Sequence, residues 1–124
     1  MKRYVIHEHH AKRWHLDLRL EYDGVLKSWA IPKGISSNPI ENRLAIEVED
    51  HPLSYINFVG EIPKSQYGAG KVEIWDKGTY ELEGDLSKGK VTVKFKGTKL
   101  NGFWKLYRAR FLGKDSWLLR KVKG

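Results

Sequence analysis

The stretch His15-Leu16-Asp17-Leu18-Arg19-Leu20-Glu21-Tyr22, followed at once by Asp23-Gly24, decides the fold. Leu16, Leu18, Leu20 and Tyr22 alternate with His15, Asp17, Arg19 and Glu21, a period of two that belongs to a strand with one apolar and one polar face. Asp-Gly is a two-residue hairpin signal, so the chain should return through a second strand, Val25 to Ile31. Outward from this hairpin the period recurs. Arg3 to Glu8 precedes it. Pro32 to Asn42 reads as a loop rich in Ser, Asn, Gly and Pro, after which Arg43 to His51 alternates with Leu44, Ile46 and Val48 on one face. Val72 to Trp75 and Thr79 to Glu83 are parted by a turn signal at Asp76-Lys77-Gly78. Val91, Val93 and Phe95 alternate with Thr92, Lys94 and Lys96, and Phe103 to Phe111 pairs with Ser116 to Val122 around Gly113-Lys114-Asp115. Helix is limited to one short turn within Pro52 to Phe58. The expectation is a mainly β fold, a closed or nearly closed antiparallel β-barrel with little helix, forming one domain over residues 1–124.

Composition narrows the chemistry. The chain has no cysteine, so a metal here must be held by His, Asp, Glu or backbone oxygens. Its 23 basic residues against 15 acidic ones give a net charge of +8, which favours a polyanionic partner, nucleic acid first. No apolar run is long enough to span a membrane, and Met1-Lys2-Arg3 leads directly into the strand pattern without a signal peptide. The lack of cysteine suits a reducing cytosol, and a monomer is expected.

Four of the five histidines fall within residues 7–15. On a strand, His15, Asp17, Arg19 and Glu21 form one polar row, so His15 and Asp17 can converge on one ion, with His9 or His10 completing the site across the intervening turn. Two imidazoles and a carboxylate suit manganese, iron or zinc. Arg19 would lie beside the metal, able to hold a phosphate by two hydrogen bonds. Arg43, Ala45, Glu47, Glu49 and His51 form a second row. Gln66 to Lys71 lacks the Gly-Lys-Ser/Thr ending of a phosphate loop and reads as a tight turn entering a strand. Trp104, Trp117, Tyr107 and Phe103 read as core residues, and Trp14, between Arg13 and His15, as the better candidate for stacking on a base.

Taken together, these motifs resemble the 3′-phosphoesterase domain of the bacterial and archaeal end-joining ligase D, in a stand-alone form. The resemblance rests on His9 with His15-Leu16-Asp17-Leu18-Arg19; on Gly24 to Ala30 with Pro32-Lys33-Gly34; on Val48-Glu49-Asp50-His51-Pro52 with Tyr55; on Tyr67-Gly68-Ala69-Gly70 with Trp75 to Gly78; and on Gly102 to Leu106 with Trp117-Leu118-Leu119. It implies a β-barrel with a crescent groove, dependence on manganese (with cobalt or zinc as other divalent ions the site could take), and two activities on primer–template 3′ ends. One removes a terminal ribonucleoside and leaves a 3′-phosphate; the other removes that phosphate and leaves a 3′-OH. It implies His9, His15 and Asp17 as metal ligands, and Arg19, Lys33, Arg43, Glu49, His51 and Tyr55 as phosphate contacts or active-site support. Coupling to end joining would run through separate ligase, polymerase and Ku proteins.

The chemistry these residues suggest is hydrolysis assisted by one divalent metal. Arg19 and His51 would grip phosphate oxygens, Lys33 and Arg43 would add positive field, and Glu49 would orient a basic neighbour. The alternative is a non-catalytic nucleic-acid-binding barrel or a scaffold module of a repair complex.

Overall fold

The structure, a computed structural model, describes residues 2–66 and 68–123. Among the described residues, nine strands follow in chain order: β1 (Lys2–His10), β2 (His15–Tyr22), β3 (Val25–Ile31), β4 (Arg43–Pro52), β5 (Gly60–Ile62), β6 (Gly70–Asp85), β7 (Lys90–Gly97), β8 (Asn101–Arg108) and β9 (Ser116–Lys121). They pair in the order β1-β2-β3-β4-β9-β8-β7-β6, all antiparallel, and β6 returns to β1 to close an eight-stranded barrel. The short β5 lies on the opening residues of β6. Closure leaves the barrel wall without a free edge. Among the described residues no helix is long and apolar enough to cross a membrane.

The alternation in β2 sorts side chains as its sequence demands. Leu16, Leu18 and Leu20 are buried in the barrel interior with Tyr4, Ile6, Trp29, Val93, Phe95, Trp104, Trp117 and Leu119. Trp29 meets Trp117 edge-on at 5.6 Å, and Phe95 meets Tyr4 at 4.8 Å and Trp104 at 5.6 Å, so edge-to-face aromatic pairs fill the lumen. At the β2–β3 turn, Asp23 and Gly24 have φ of 50° and 80°, the left-handed pair that a two-residue hairpin needs.

Two irregularities depart from strict alternation. Asp76-Lys77-Gly78 is not a turn: β6 runs through it unbroken, with one extra residue against β1, where Ile6 faces Asp76 but His7 faces Ile74. The bulged Trp75 packs against the interior cluster. Asp76 beside it accepts the Tyr4 hydroxyl (2.6 Å) and the backbone N–H groups of Thr98, Lys99 and Leu100 (each 3.0 Å). The side chain thus satisfies the whole β7–β8 turn. Burial pushes its carboxyl up, but these four donors outweigh burial and hold it below the ordinary value. Asp76→Ala should therefore lower the urea-unfolding free energy by about 3 kcal/mol, since several buried donors lose their acceptor. In the second irregularity, Leu26 faces His51 while Ser28 faces Val48, which puts an extra residue on β4 around Glu49-Asp50.

At the C-terminal hairpin, the strand ends at Arg108 rather than Phe111, whose ring is exposed in the connecting turn. Trp104 and Trp117 are core residues as expected. Phe103 is exposed on the outer wall, and the half-buried Tyr107 hydroxyl donates to Asn42.

Candidate active site on the outer barrel wall

The polar row of β2 faces outward, yet Asp17 and Arg19 are only 5% and 4% exposed. A second, smaller apolar cluster explains this. Val5 and Leu26 on the outer wall pack with Ile56, Leu53 and Tyr55 of the 3₁₀ turn Leu53–Asn57, which roofs that part of the wall. Charges beneath a roof must be paired, and these are.

Antiparallel register sets the first group. His9 lies opposite His15, and His7 opposite Asp17. Asp17 Oδ2 is 3.3 Å from His15 Nε2, 3.5 Å from His9 Nδ1 and 3.4 Å from Arg19 Nη2. The other nitrogen of each imidazole is already engaged: His9 Nε2–H donates to the Gly68 carbonyl (2.7 Å), and His15 Nδ1–H to the Arg13 carbonyl (3.1 Å). Those bonds orient both rings and turn the remaining nitrogen of each toward the carboxylate, with all three candidate donor atoms within 4.8 Å of one another. This donor set, two imidazole nitrogens and a carboxylate oxygen, suits a divalent transition metal. Burial raises the Asp17 carboxyl, but the hydrogen bonds from His15 and His9 and the Arg19 charge prevail and hold it well below the usual carboxylate range. The bond to Asp17 raises the His15 pKa. Protons therefore compete with a metal at His15, and metal affinity should weaken as pH falls.

Arg19 organises the second group. Its Nε donates to His7 Nδ1 (3.0 Å), its Nη1 donates to Ser28 Oγ (2.9 Å) and lies 3.3 Å from His51 Nδ1, and its guanidinium sits 5.1 Å from the Tyr55 ring centre. Tyr55 is stacked on Phe58 at 4.7 Å and lies 4.9 Å from the His51 ring. Burial, then the Arg19 charge, lowers the His51 pKa, so the ring is neutral at rest.

The β4 bulge explains how His51 arrives here. Strict alternation would put it on the face of Arg43, Ala45, Glu47 and Glu49. Ala45 is buried in the interior and Glu47 accepts the inner Trp117 N–H, so that face points inward. The extra residue flips His51 to the outer wall opposite Leu26. The expected sharing of one face by Arg43 and His51 is corrected accordingly. Arg43 pairs with Glu41 at 3.8 Å, and among the described residues its buried Nε has no hydrogen-bond partner. Among the described residues no hydrogen bond or ion pair joins the side chains of Lys33, Arg43 or Glu49 to the cluster; Glu49 touches it through its backbone carbonyl, 3.1 Å from His51 Nδ1. Lys33 is exposed in the turn after β3. Tyr67 lies outside the described residues.

His10, left as a rival of His9 by spacing alone, points the other way. Its Nε2 lies 3.5 Å from Glu8 and 3.8 Å from Glu73, a separate group in which Glu73 is engaged by Lys71 at 2.8 Å. A cavity of about 590 Å³ opens at one barrel mouth, lined by Lys27, Trp29, Glu47, Asp50, Arg108 and others, but none of the residues of the His9–Asp17–Arg19 cluster borders it. The candidate donors converge on the barrel wall instead.

Residues 7–108 match the family described as the DNA Ligase D 3′-phosphoesterase domain. The chain belongs to that family. It is 48% identical over 126 residues to the multifunctional non-homologous end joining protein LigD of Pseudomonas aeruginosa, covering 98% of this chain and 15% of that protein. It is 50% identical over 123 residues to the Mycobacterium bovis LigD (97% and 16%) and 46% over 131 residues to that of Mycolicibacterium smegmatis (98% and 17%). The chain thus spans about a sixth of the length of the curated relatives it matches.

In this 3′-phosphoesterase domain two participants escape a reading by motif. His7 follows from the same period-two logic that groups His15, Asp17 and Arg19, since it shares a face with His9; Ser28 follows from register, directly opposite Arg19. His7 is fully buried, and burial, then the Arg19 charge, drives its pKa down to about 4. The unfolded chain therefore binds the proton first as pH falls, and the stability this group contributes is lost between about 6.5 and 4. The span corresponds to roughly 3 kcal/mol. In EDTA, urea unfolding of the parent should weaken across that window, and His7→Gln should flatten the slope.

Proposed function

We propose that this domain is a divalent-metal-dependent hydrolase of nucleic-acid 3′ ends, removing a terminal ribonucleoside, a 3′-phosphate, or both in succession, and that it serves end-joining repair. The observation that carries the reading is the pre-oriented set His9 Nδ1, His15 Nε2 and Asp17 Oδ2 beside the buried Arg19. A module that merely binds a nucleic-acid backbone has no use for two imidazoles oriented onto one buried carboxylate in this way. The family, the net charge of +8 and the end-joining names of the relatives support the substrate class.

His9, His15 and Asp17 would hold the metal, manganese by preference. When bound, it would polarise a phosphate oxygen and offset the charge that develops there. Arg19 binds the phosphate from the side: two of its nitrogens are tethered by His7 and Ser28, so the fork is fixed before substrate arrives. Phosphate charge against Arg19 would offset the cation that depresses His51, allowing His51 to take up a proton and deliver it to the departing oxygen as water adds to phosphorus. Tyr55 orients both His51 and Arg19 through its ring. Lys33 adds positive field from the rim. Arg43 and Glu49 support the site at longer range.

The test is a 5′-labelled primer–template ending in one ribonucleotide, incubated with manganese. The expected course is loss of the terminal nucleoside to give a 3′-phosphate, then conversion to 3′-OH. If neither product forms with manganese, cobalt or zinc, the hydrolase reading fails.

A further inference from the structure

The basic character of the chain is confined to one end of its sequence. Residues 1–85 hold 11 basic and 14 acidic residues, whereas residues 86–124 hold 12 basic residues and one acidic residue, Asp115. The candidate active site is therefore built from a net-acidic segment, and the excess of +8 comes from the segment that forms β7, β8 and β9. Those three strands contain no Asp or Glu. A charge asymmetry of this size within one domain points to a polyanion held on one side of it.

Alternation decides where the charges point. Val93, Phe95, Leu106 and Leu119 fill the interior, so Lys90, Lys94, Lys96, Lys105 and Arg120 face outward. Register then sets the cations side by side. Lys105 lies directly opposite Arg120, and Lys94 opposite Phe103. Among the described residues only Lys94 of these five has an acidic partner, Glu81 at 4.0 Å. Like charges directly opposite each other on neighbouring strands destabilise the pairing. An anion laid across Lys105 and Arg120 removes that cost.

This wall is far from Asp17 and Arg19. Around the closed barrel, β2 and β8 are four strands apart in either direction, so they stand on opposite sides. One straight duplex cannot lie on both. Taking nucleic acid as the substrate class from the phosphoesterase reading, we infer that the outer wall of β7–β9 is a second nucleic-acid face, which holds the backbone of a duplex segment away from the candidate active site. A duplex presents one negative charge per roughly 1.7 Å of its axis, a dense match for five outward cations. Contacts to phosphate position a duplex without reading its bases, so this face is indifferent to sequence.

The experiment uses a fluorescent dumbbell duplex, closed by a loop at each end, which offers the active site no 3′ end. Binding is measured by anisotropy in EDTA from about 50 to about 200 mM salt. With five phosphate contacts, log K for the parent should fall with log salt at a slope of about −4. The triple variant Lys90→Gln, Lys96→Gln, Lys105→Gln should bind at least about tenfold more weakly at the low-salt end, with a slope shallower by about 3. Its urea-unfolding midpoint should match the parent's, which separates lost binding from lost folding. A charge-matched triple outside the wall, Lys2→Gln, Lys12→Gln, Lys64→Gln, should keep most of the affinity and the slope. A parent that does not bind the dumbbell would overturn the face and leave an acidic protein surface as its partner. Equal losses in the two triples would also overturn it, because net charge alone would then attract the duplex. Phosphate release from a short single-stranded 3′-phosphate oligonucleotide in manganese tests the hydrolase reading separately. Hydrolysis without dumbbell binding removes the second face alone, and dumbbell binding without hydrolysis removes the hydrolase alone.

Discussion

Asp17→Asn is expected to lower 3′-phosphate release by at least about 10³-fold and to destabilise the metal-free protein at the same time. The two effects share one cause. Asp17 Oδ2 is the point on which His9, His15 and Arg19 converge, and among the described residues no other carboxylate pairs with Arg19. An amide keeps the shape but removes the only negative charge, so the donor set falls to two neutral imidazoles and metal affinity collapses. Without a metal, the buried guanidinium is left uncompensated, a situation that costs about 3–5 kcal/mol when one partner of a buried pair is removed. Calorimetric manganese titration, phosphate release and urea unfolding on one preparation would check all three. Sign and pH agree. Asp17 has a depressed folded pKa, so the stability it contributes is present above the ordinary carboxylate range and is lost as pH falls through the folded value. The gap between parent and Asp17→Asn should therefore be full at neutral pH and narrow in strong acid.

Arg19→Lys is the second large change, and it should separate charge from geometry. Lysine keeps a cation near Asp17 but cannot serve His7, Ser28 and a phosphate together, because the planar fork is gone. Manganese binding should persist, while kcat falls about 10²- to 10³-fold, the scale of losing one fixed donor at a developing charge. Arg19→Ala should lose as much activity and more stability, since Asp17 then loses its buried cation and the His7 and Ser28 acceptors lose their donor. A rise in KM with unchanged kcat for Arg19→Lys would instead mean that the guanidinium only helps substrate bind.

Much of this architecture is legible from alternation. The His15–Tyr22 row predicts which side chains fill the lumen, and Asp23-Gly24 predicts its own hairpin with the required left-handed φ pair. What alternation cannot supply is the phase after an inserted residue. The bulge around Glu49-Asp50 carries His51 across to the outer wall and leaves Arg43 on the other phase, and the bulge at Trp75 turns an apparent Asp-Lys-Gly turn into continuous strand. Nor does pattern reveal that the polar row is roofed. That depends on Ile56 meeting Val5 and Leu26, contacts between segments thirty and more residues apart. His10 shows the same limit at shorter range: spacing leaves it beside His9, and the pleat sends it to Glu8 and Glu73.

The family resemblance supplied what pattern could not, the choice of His9 and the inclusion of His51 and Tyr55, and the fold gives those choices a physical basis in register and roof. The roles of these residues are decided most directly by coupling metal content to turnover. The protein is stripped with EDTA, manganese is returned in measured steps, and phosphate release from a 3′-phosphate primer–template is followed at each step. The account predicts no release from the stripped protein, activity that rises until about one manganese is bound per chain, and no recovery at any manganese concentration in Asp17→Asn. Full activity in the stripped protein, or an Asp17→Asn variant that titrates like the parent, would contradict it.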